Sequence, residues 1–256
     1  GGREFAWNVN FWDFQLDPPP GSGHGPIKTD PAYPYTSQIQ NGGRVFEPLQ
    51  VPIVNTKDPI LKPWAAKQMQ ESNDELLSGK RKLPFMAQSR CWPGGVPGQL
   101  LFLEPVFFIQ MPDRVVMLWQ RNSFVRNIRL NGTHPAKVTP SWFGDSIGHY
   151  ENGDTLVVDT VGISAKNSYI DSFRTPHTEK LHTIERYKRI GADTLEYDIT
   201  VDDPGAYAAP WPGHRNFVKT TGFMRYMWVC SVRDNNEHYE KTTAAGNDSG
   251  QTTFGK

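Results

Sequence analysis

The sequence predicts a mainly β protein: an antiparallel meander forming a calycin-like barrel or curved sheet, with one short helix and a long irregular N-terminal arm. Three observations predict it. Glycine (23) and proline (21) recur too often for long helices and suit many short strands joined by turns. Asn-Gly pairs stand at 131–132 and 152–153, and Asn-Gly fits the two positive-φ positions of a type I′ hairpin turn. Apolar and polar residues alternate with period two, as in Leu195, Tyr197, Ile199 and Val201 against Glu196, Asp198 and Thr200.

Residues 1–60 are read as the irregular arm and residues 61–256 as one β domain. In the arm, Pro18-Pro19-Pro20, Gly21, Gly23, Gly25, Pro31 and Pro34 exclude a long regular element. Its aromatics (Phe5, Trp7, Phe11, Trp12 and Phe14) are too apolar for a solvated tail, so the arm packs on the main domain or wraps a neighbour. Pro63 suits a first helical position, the stretch from Trp64 to Leu77 holds good helix formers, and Gly79 is a natural stop. A rigid loop follows from Arg90 to Pro97.

Strands begin near residue 106. Val106 to Gln110 and Arg114 to Gln120 form a hairpin about Met111-Pro112-Asp113, and Phe124 to Leu130 runs into Asn131-Gly132. Ser146 to Glu151 and Asp154 to Val161 turn at Asn152-Gly153, the clearest hairpin. Leu181 to Ile190 and Thr194 to Val201 turn at Gly191-Ala192-Asp193, and Phe217 to Val229 supplies a last strand. So many consecutive strands must close or stack to protect their edges, as a barrel or, alternatively, a two-sheet sandwich.

Composition excludes some functions. Formal net charge is zero with no basic stripe, which argues against nucleic acid and anionic membranes as partners. No apolar run approaches the length of a membrane span. No Gly-x-Ser-x-Gly elbow, Walker loop or dinucleotide fingerprint occurs, so no nucleotide cofactor is expected. The opening Gly1-Gly2-Arg3 reads as a processed mature form or a cloning scar. The two cysteines, Cys91 and Cys230, allow one disulfide in an oxidising compartment or two buried thiols.

Three long motifs carry a resemblance. They are Pro140-Ser141-Trp142-Phe143-Gly144-Asp145-Ser146-Ile147-Gly148 running on through Glu151 to Asp154-Thr155-Leu156-Val157-Val158-Asp159-Thr160-Val161-Gly162; Pro176-His177-Thr178-Glu179-Lys180-Leu181-His182-Thr183-Ile184-Glu185-Arg186-Tyr187; and Thr200-Val201-Asp202-Asp203-Pro204. With the Cys-x-Pro-x-Gly-x-Pro loop at Cys91 to Pro97, they resemble a family of bacterial proteins of unassigned function, usually made with an export signal. The resemblance covers roughly residues 90–236 and implies a periplasmic or secreted protein, but no activity. Two departures stand out. The turn before Asp154 is one residue shorter than in that family, placing a bulge at Asn152, and Asn131-Gly132-Thr133 replaces Asp-Gly-Arg before His134-Pro135.

Two polar clusters could carry chemistry. In the first, His177, His182, Glu185 and Arg186, a strand places His182, Ile184 and Arg186 on one face and Thr183, Glu185 and Tyr187 on the other. If the first face points inward, His182 moves protons and Arg186 holds a developing oxyanion; if it points outward, Arg186 pairs with a cross-strand carboxylate such as Asp198. In the second, His149 and Glu151 share one face of their strand and Asp159 lies on the paired strand on the face of Val157 and Val161, with Asp145 flanking, as an acid–base pair or as a structural network. His134 can join either cluster from its loop. A metal held by His134, His149, His177 or His182 with Asp145 has no close-spaced ligand motif behind it. Met117, Trp119, Tyr226 and Trp228, with Phe107, Phe108, Met224 and Met227, line an apolar ligand pocket or simply the core.

Together these point to an exported small-molecule enzyme of lyase, isomerase or hydrolase type. It would use His–carboxylate proton transfer in an aromatic-lined cavity, on a small apolar or aromatic molecule. The alternative is a non-catalytic binding or accessory protein for an apolar ligand or an exported complex, assembled as a homo-oligomer or heteromer through the arm. Convergence of at least two of His134, His149, His177 and His182 with a carboxylate in a solvent-reachable cavity would favour the enzyme, whereas histidines scattered on the outside or fully sealed would favour the alternative.

Overall fold

The computed structural model describes residues 5–9, 59–77, 87, 91–101, 105–120, 122–166, 168–170 and 174–221. Its strands are β1 (Phe5–Val9), β2 (Val106–Gln110), β3 (Arg114–Trp119), β4 (Val125–Leu130), β5 (Asp145–Glu151), β6 (Thr155–Val161), β7 (His182–Arg189), β8 (Thr194–Asp202) and β9 (Trp211–Thr221). Each bonds to its sequence neighbour, and β1 lies between β9 and β2, so the sheet closes into a barrel and not a sandwich. The β1–β9 side of the seam is long, from Phe5↔Thr221 to Val9↔Phe217. The β1–β2 side is a single register pair, Trp7↔Val106.

Three features differ from the sequence expectation. Phe5–Val9, placed in the irregular arm, is a barrel strand, while 10–58 lie outside the described residues. The last strand starts at Trp211, not Phe217, and residues 222–229 of the expected strand lie outside the described residues. Most consequential, β4 and β5 pair in parallel, Ile128↔Ser146 to Leu130↔Gly148, in an otherwise antiparallel barrel. Parallel neighbours need a crossover of about a dozen residues or more, and residues 131–144 supply it.

The Asn152-Gly153 turn forms as the sequence predicts: both residues have positive φ (53° and 76°), and Asp154 N donates to Glu151 O at 3.3 Å. Pairing resumes at Glu151↔Thr155, so the extra residue is Asp154 and not Asn152. Helix α1 (Pro63–Leu77) begins at Pro63 as expected and buries Ala65 and Met69, one turn apart. Its start is tied to residues 205–208 by Trp64 Nε1 donating to Gly205 O (2.8 Å) and Lys62 N donating to Ala206 O (2.9 Å). Cys91 is disulfide-bonded.

Alternation puts Val115, Met117, Ile128, Val158, Tyr197, Val201 and the other inward residues in the core. One charged pair sits among them. Arg126 (β4) and Glu185 (β7) are 1% and 0% exposed, and Arg126 grips both carboxylate oxygens. Ser146 accepts from Arg126 Nε (3.1 Å), Thr160 accepts from Nη2 (2.8 Å), and the Met117 thioether lies 3.9 Å from Nη1. Tyr187 and Tyr197 hydroxyls donate to Glu185 Oε1 at 2.8 and 3.2 Å. Burial, aided by the Glu185 charge, pushes both tyrosines well above the usual phenol range. Burial opposes the charge of Arg126, but the Glu185 carboxylate outweighs it and raises the guanidinium further.

Removing one partner strands the other in the core. Arg126→Met is expected to cost about 3–5 kcal/mol in urea unfolding, while Arg126→Met/Glu185→Leu recovers part of it because no buried charge remains. A single-variant cost below about 1 kcal/mol would show that the pair does not hold the barrel.

Candidate active site: a histidine–carboxylate array on the outer barrel wall

The inward set fixes the outward one. Because Ser146, Thr160, Thr183 and Glu185 face the core, Asp145, Ile147, Asp159, His182 and Ile184 face out. Register then aligns Arg129 (β4), Ile147 (β5), Asp159 (β6) and Ile184 (β7) in one cross-strand row. The crossover between β4 and β5 lays His134 over that row. It is pinned by Ser141 N donating to Gly162 O (3.0 Å) and Ser164 N donating to Ser141 O (2.8 Å).

The result is a continuous chain of polar contacts. Arg129 Nη2 donates to both oxygens of Asp145 (2.7 and 2.9 Å) and, at 3.4 Å, to Thr133 O. His134 Nδ1 lies 2.7 Å from Asp145 Oδ2, and its Nε2 lies 3.1 Å from Asp159 Oδ1. The same Asp159 oxygen lies 2.9 Å from His182 Nε2. Side-chain exposures of 23% at His134, 22% at Asp145, 42% at Asp159 and 38% at His182 leave the array open to solvent.

Hydrogen-bond bookkeeping assigns the protons. An ionised carboxylate only accepts, and a neutral imidazole donates from one nitrogen. A neutral His182 that donates from Nε2 to Asp159 keeps Nδ1 as an acceptor, and among the described residues nothing bonds that nitrogen. His134 faces a carboxylate at each nitrogen, and it can donate to both only in its doubly protonated form. Two imidazoles thus meet at one oxygen of Asp159.

The other expected site residues lie elsewhere. Arg186 also faces out, where it bonds Glu151 (2.5 Å) instead of Asp198, and His149 Nε2 sits 3.3 Å from Glu151. Hydrogen bonds from Arg186 first, then His149, hold the Glu151 carboxyl below its ordinary range. Asp198 pairs instead with His214 (2.6 Å) on β9. His177 is buried in the loop before β7, its Nδ1 3.0 Å from Thr178 O. Met117 and Trp119 are core residues, with Trp119 stacked on Phe143 at 5.6 Å, and Tyr226, Trp228, Met224 and Met227 lie outside the described residues. Among the described residues no three His, Cys, Asp or Glu are placed to hold a metal, and no helix is long and apolar enough to cross a membrane.

Of the two participants not predicted in a catalytic role, Asp145 had the signal of flanking the second cluster. Arg129 had none, since its place depends on the parallel pairing. Among the described residues, nine strands close a barrel that carries a histidine–carboxylate array on its outer wall. No family model, curated protein or solved structure matches the chain.

His177 gives a pH signature separate from this array. Burial lowers its pKa below the ordinary 6.5, so the unfolded chain takes up the proton first. Its contribution is fully present above the unfolded value and is lost as pH falls toward the folded one, at up to about 1.4 kcal/mol per pH unit. His177→Asn should therefore lose less stability than the parent between pH 7.5 and 5 in urea titrations. Parallel pH profiles would rule this out.

Proposed function

We propose that the outer-wall array is the acid–base centre of an exported small-molecule enzyme, of the lyase or isomerase type or a hydrolase that activates water. The observation that carries this is the pair of Nε2 contacts on one oxygen of Asp159, which leaves Nδ1 of the part-exposed His182 without a partner among the described residues and able to act as the base. A carboxylate behind an imidazole fixes its tautomer and stabilises the imidazolium formed when the base takes a proton. In the proposed cycle His182 Nδ1 removes a proton from the substrate, and Asp159 balances the new charge. His134, protonated between Asp145 and Asp159, serves in this cycle as the acid that returns one. Arg129, at the head of the line, takes the anion-steadying role first given to Arg186.

The disulfide at Cys91 supports an oxidising, periplasmic or secreted location, as does the resemblance of residues 90–236 to exported bacterial proteins. One observation favours the accessory-protein reading: Ile109, Met111 and Val125 on and beside β2–β4 are each close to half exposed.

A screen of small carbonyl and carboxylate substrates tests the proposal. His182→Asn and Asp159→Asn should each lower kcat/KM by about 10²–10⁴ with an unchanged circular dichroism spectrum, while His214→Asn leaves turnover as it was. Full activity in His182→Asn would end the acid–base reading.

A further inference from the structure

We infer that Arg129 and the two isoleucines flanking Asp159 are the binding half of this array, and that the ligand they fit is a small organic carboxylate with an apolar body. The inference rests on the acid–base reading for its catalytic meaning, but its geometry stands separately.

Arg129 carries five N–H donors. Nη2 spends its two on Asp145 and Thr133, whereas Nε and Nη1 have no partner among the described residues. Asp145 thus fixes the guanidinium plane and leaves its remaining donors available to a ligand. The side chain is 46% exposed, so a ligand reaches those donors from solvent. A planar fork of N–H groups matches a carboxylate better than a point acceptor, and an anchored fork has already lost much of its rotamer entropy.

The row order supplies the rest. Arg129, Ile147, Asp159 and Ile184 occupy successive strands, about 4.8 Å apart. From the root of Arg129 to that of Asp159 is therefore about 10 Å, within the combined reach of the arginine and a short acid. Between and beyond them Ile147 and Ile184 face out, partly buried, as apolar walls on either side of the aspartate. A ligand held by its carboxylate at Arg129 lays its carbon body on these isoleucines, with its far end beside His182. The carboxylate is then a handle, and the reacting carbon lies further along.

The test uses the full chain titrated with benzoate, benzamide and acetate, reading the ring signals of His182 and the Nε–H of Arg129 by NMR. Saturable shifts of both signals are expected with benzoate, with benzamide and acetate at least about tenfold weaker, since one lacks the charge and the other the apolar body. Arg129→Gln should weaken benzoate at least tenfold, while Arg186→Gln leaves it unchanged. Because Arg129→Gln also frees Asp145, Ile147→Asn provides a variant with every charge in place, and it should weaken benzoate several-fold but not acetate. Equal binding of benzoate and benzamide, or unchanged benzoate binding in Arg129→Gln, overturns the inference. Failure of the two readings is separable. Loss of turnover in His182→Asn without benzoate binding sinks only the carboxylate site, whereas benzoate binding with full activity in His182→Asn sinks only the acid–base chemistry.

Discussion

The Arg126–Glu185 pair organises this barrel from within. It joins β4 to β7 across the interior, and its remaining bonds reach Ser146 on β5, Thr160 on β6 and Tyr197 on β8. Five consecutive strands therefore turn one defined face toward a single ion pair. A slip of one residue in any of them would swap its inner and outer sets and leave a buried charge without partners. Glu185 lies in the cross-strand row Gly148–Val158–Glu185–Ile199–Gly213, with a glycine on β5 and another on β9. A Cβ at Gly148 would lie 2.8 Å from Ile128, and one at Gly213 would lie 2.9 Å from Ile199. A residue with any side chain at either position would force Ile128 or Ile199, respectively, to shift.

The outer array follows from that interior. With Glu185 and Thr160 held inward, His182 and Asp159 must point out, and they meet because β6 and β7 are neighbours. The second contribution is topological. A hairpin between β4 and β5 would have been too short to bring a third strand's worth of chain over the sheet, whereas the parallel step demands a crossover, and that crossover carries His134 onto Asp145 and Asp159. Gly162, at φ 69°, is where the crossover crowds the sheet: a Cβ there would collide with Val138. Ion pair, parallel step and crossover thus place five polar groups from β4 to β7 within bonding reach of one another.

Much of the fold was legible in the sequence because its signals are local. The period-two pattern of β8 and the Asn152-Gly153 turn need only neighbouring residues, and both are present in the structure. The parallel step was not legible, since Asn131-Gly132 reads as a hairpin turn. Asn131 does adopt a positive φ of 55°, but its N–H goes to Gly148 O on β5 and the chain continues into a crossover. β1 was hidden for a similar reason: its pairing with β9 joins residues at opposite ends of the described chain. On β7 the two faces were separable, but which one faced inward was not, because a glutamate among tyrosines gains its place only when a partner arginine arrives from β4. His182 and Asp159 were legible as candidates by residue type. Their company was not, since Arg129 resembles any solvated charge until the β4–β5 register is known.

In the proposed centre Asp159 orients two imidazoles differently, His182 as a base and His134 as a proton donor held between two carboxylates. Long-range ¹H–¹⁵N NMR of the histidine rings near neutral pH reads this directly. His182 should appear as the Nε2–H tautomer with an unprotonated Nδ1, and His134 should show slowly exchanging protons at both nitrogens, with both features lost in Asp159→Asn. A His182 ring protonated at Nδ1, together with a His134 ring carrying a single proton, would contradict the account.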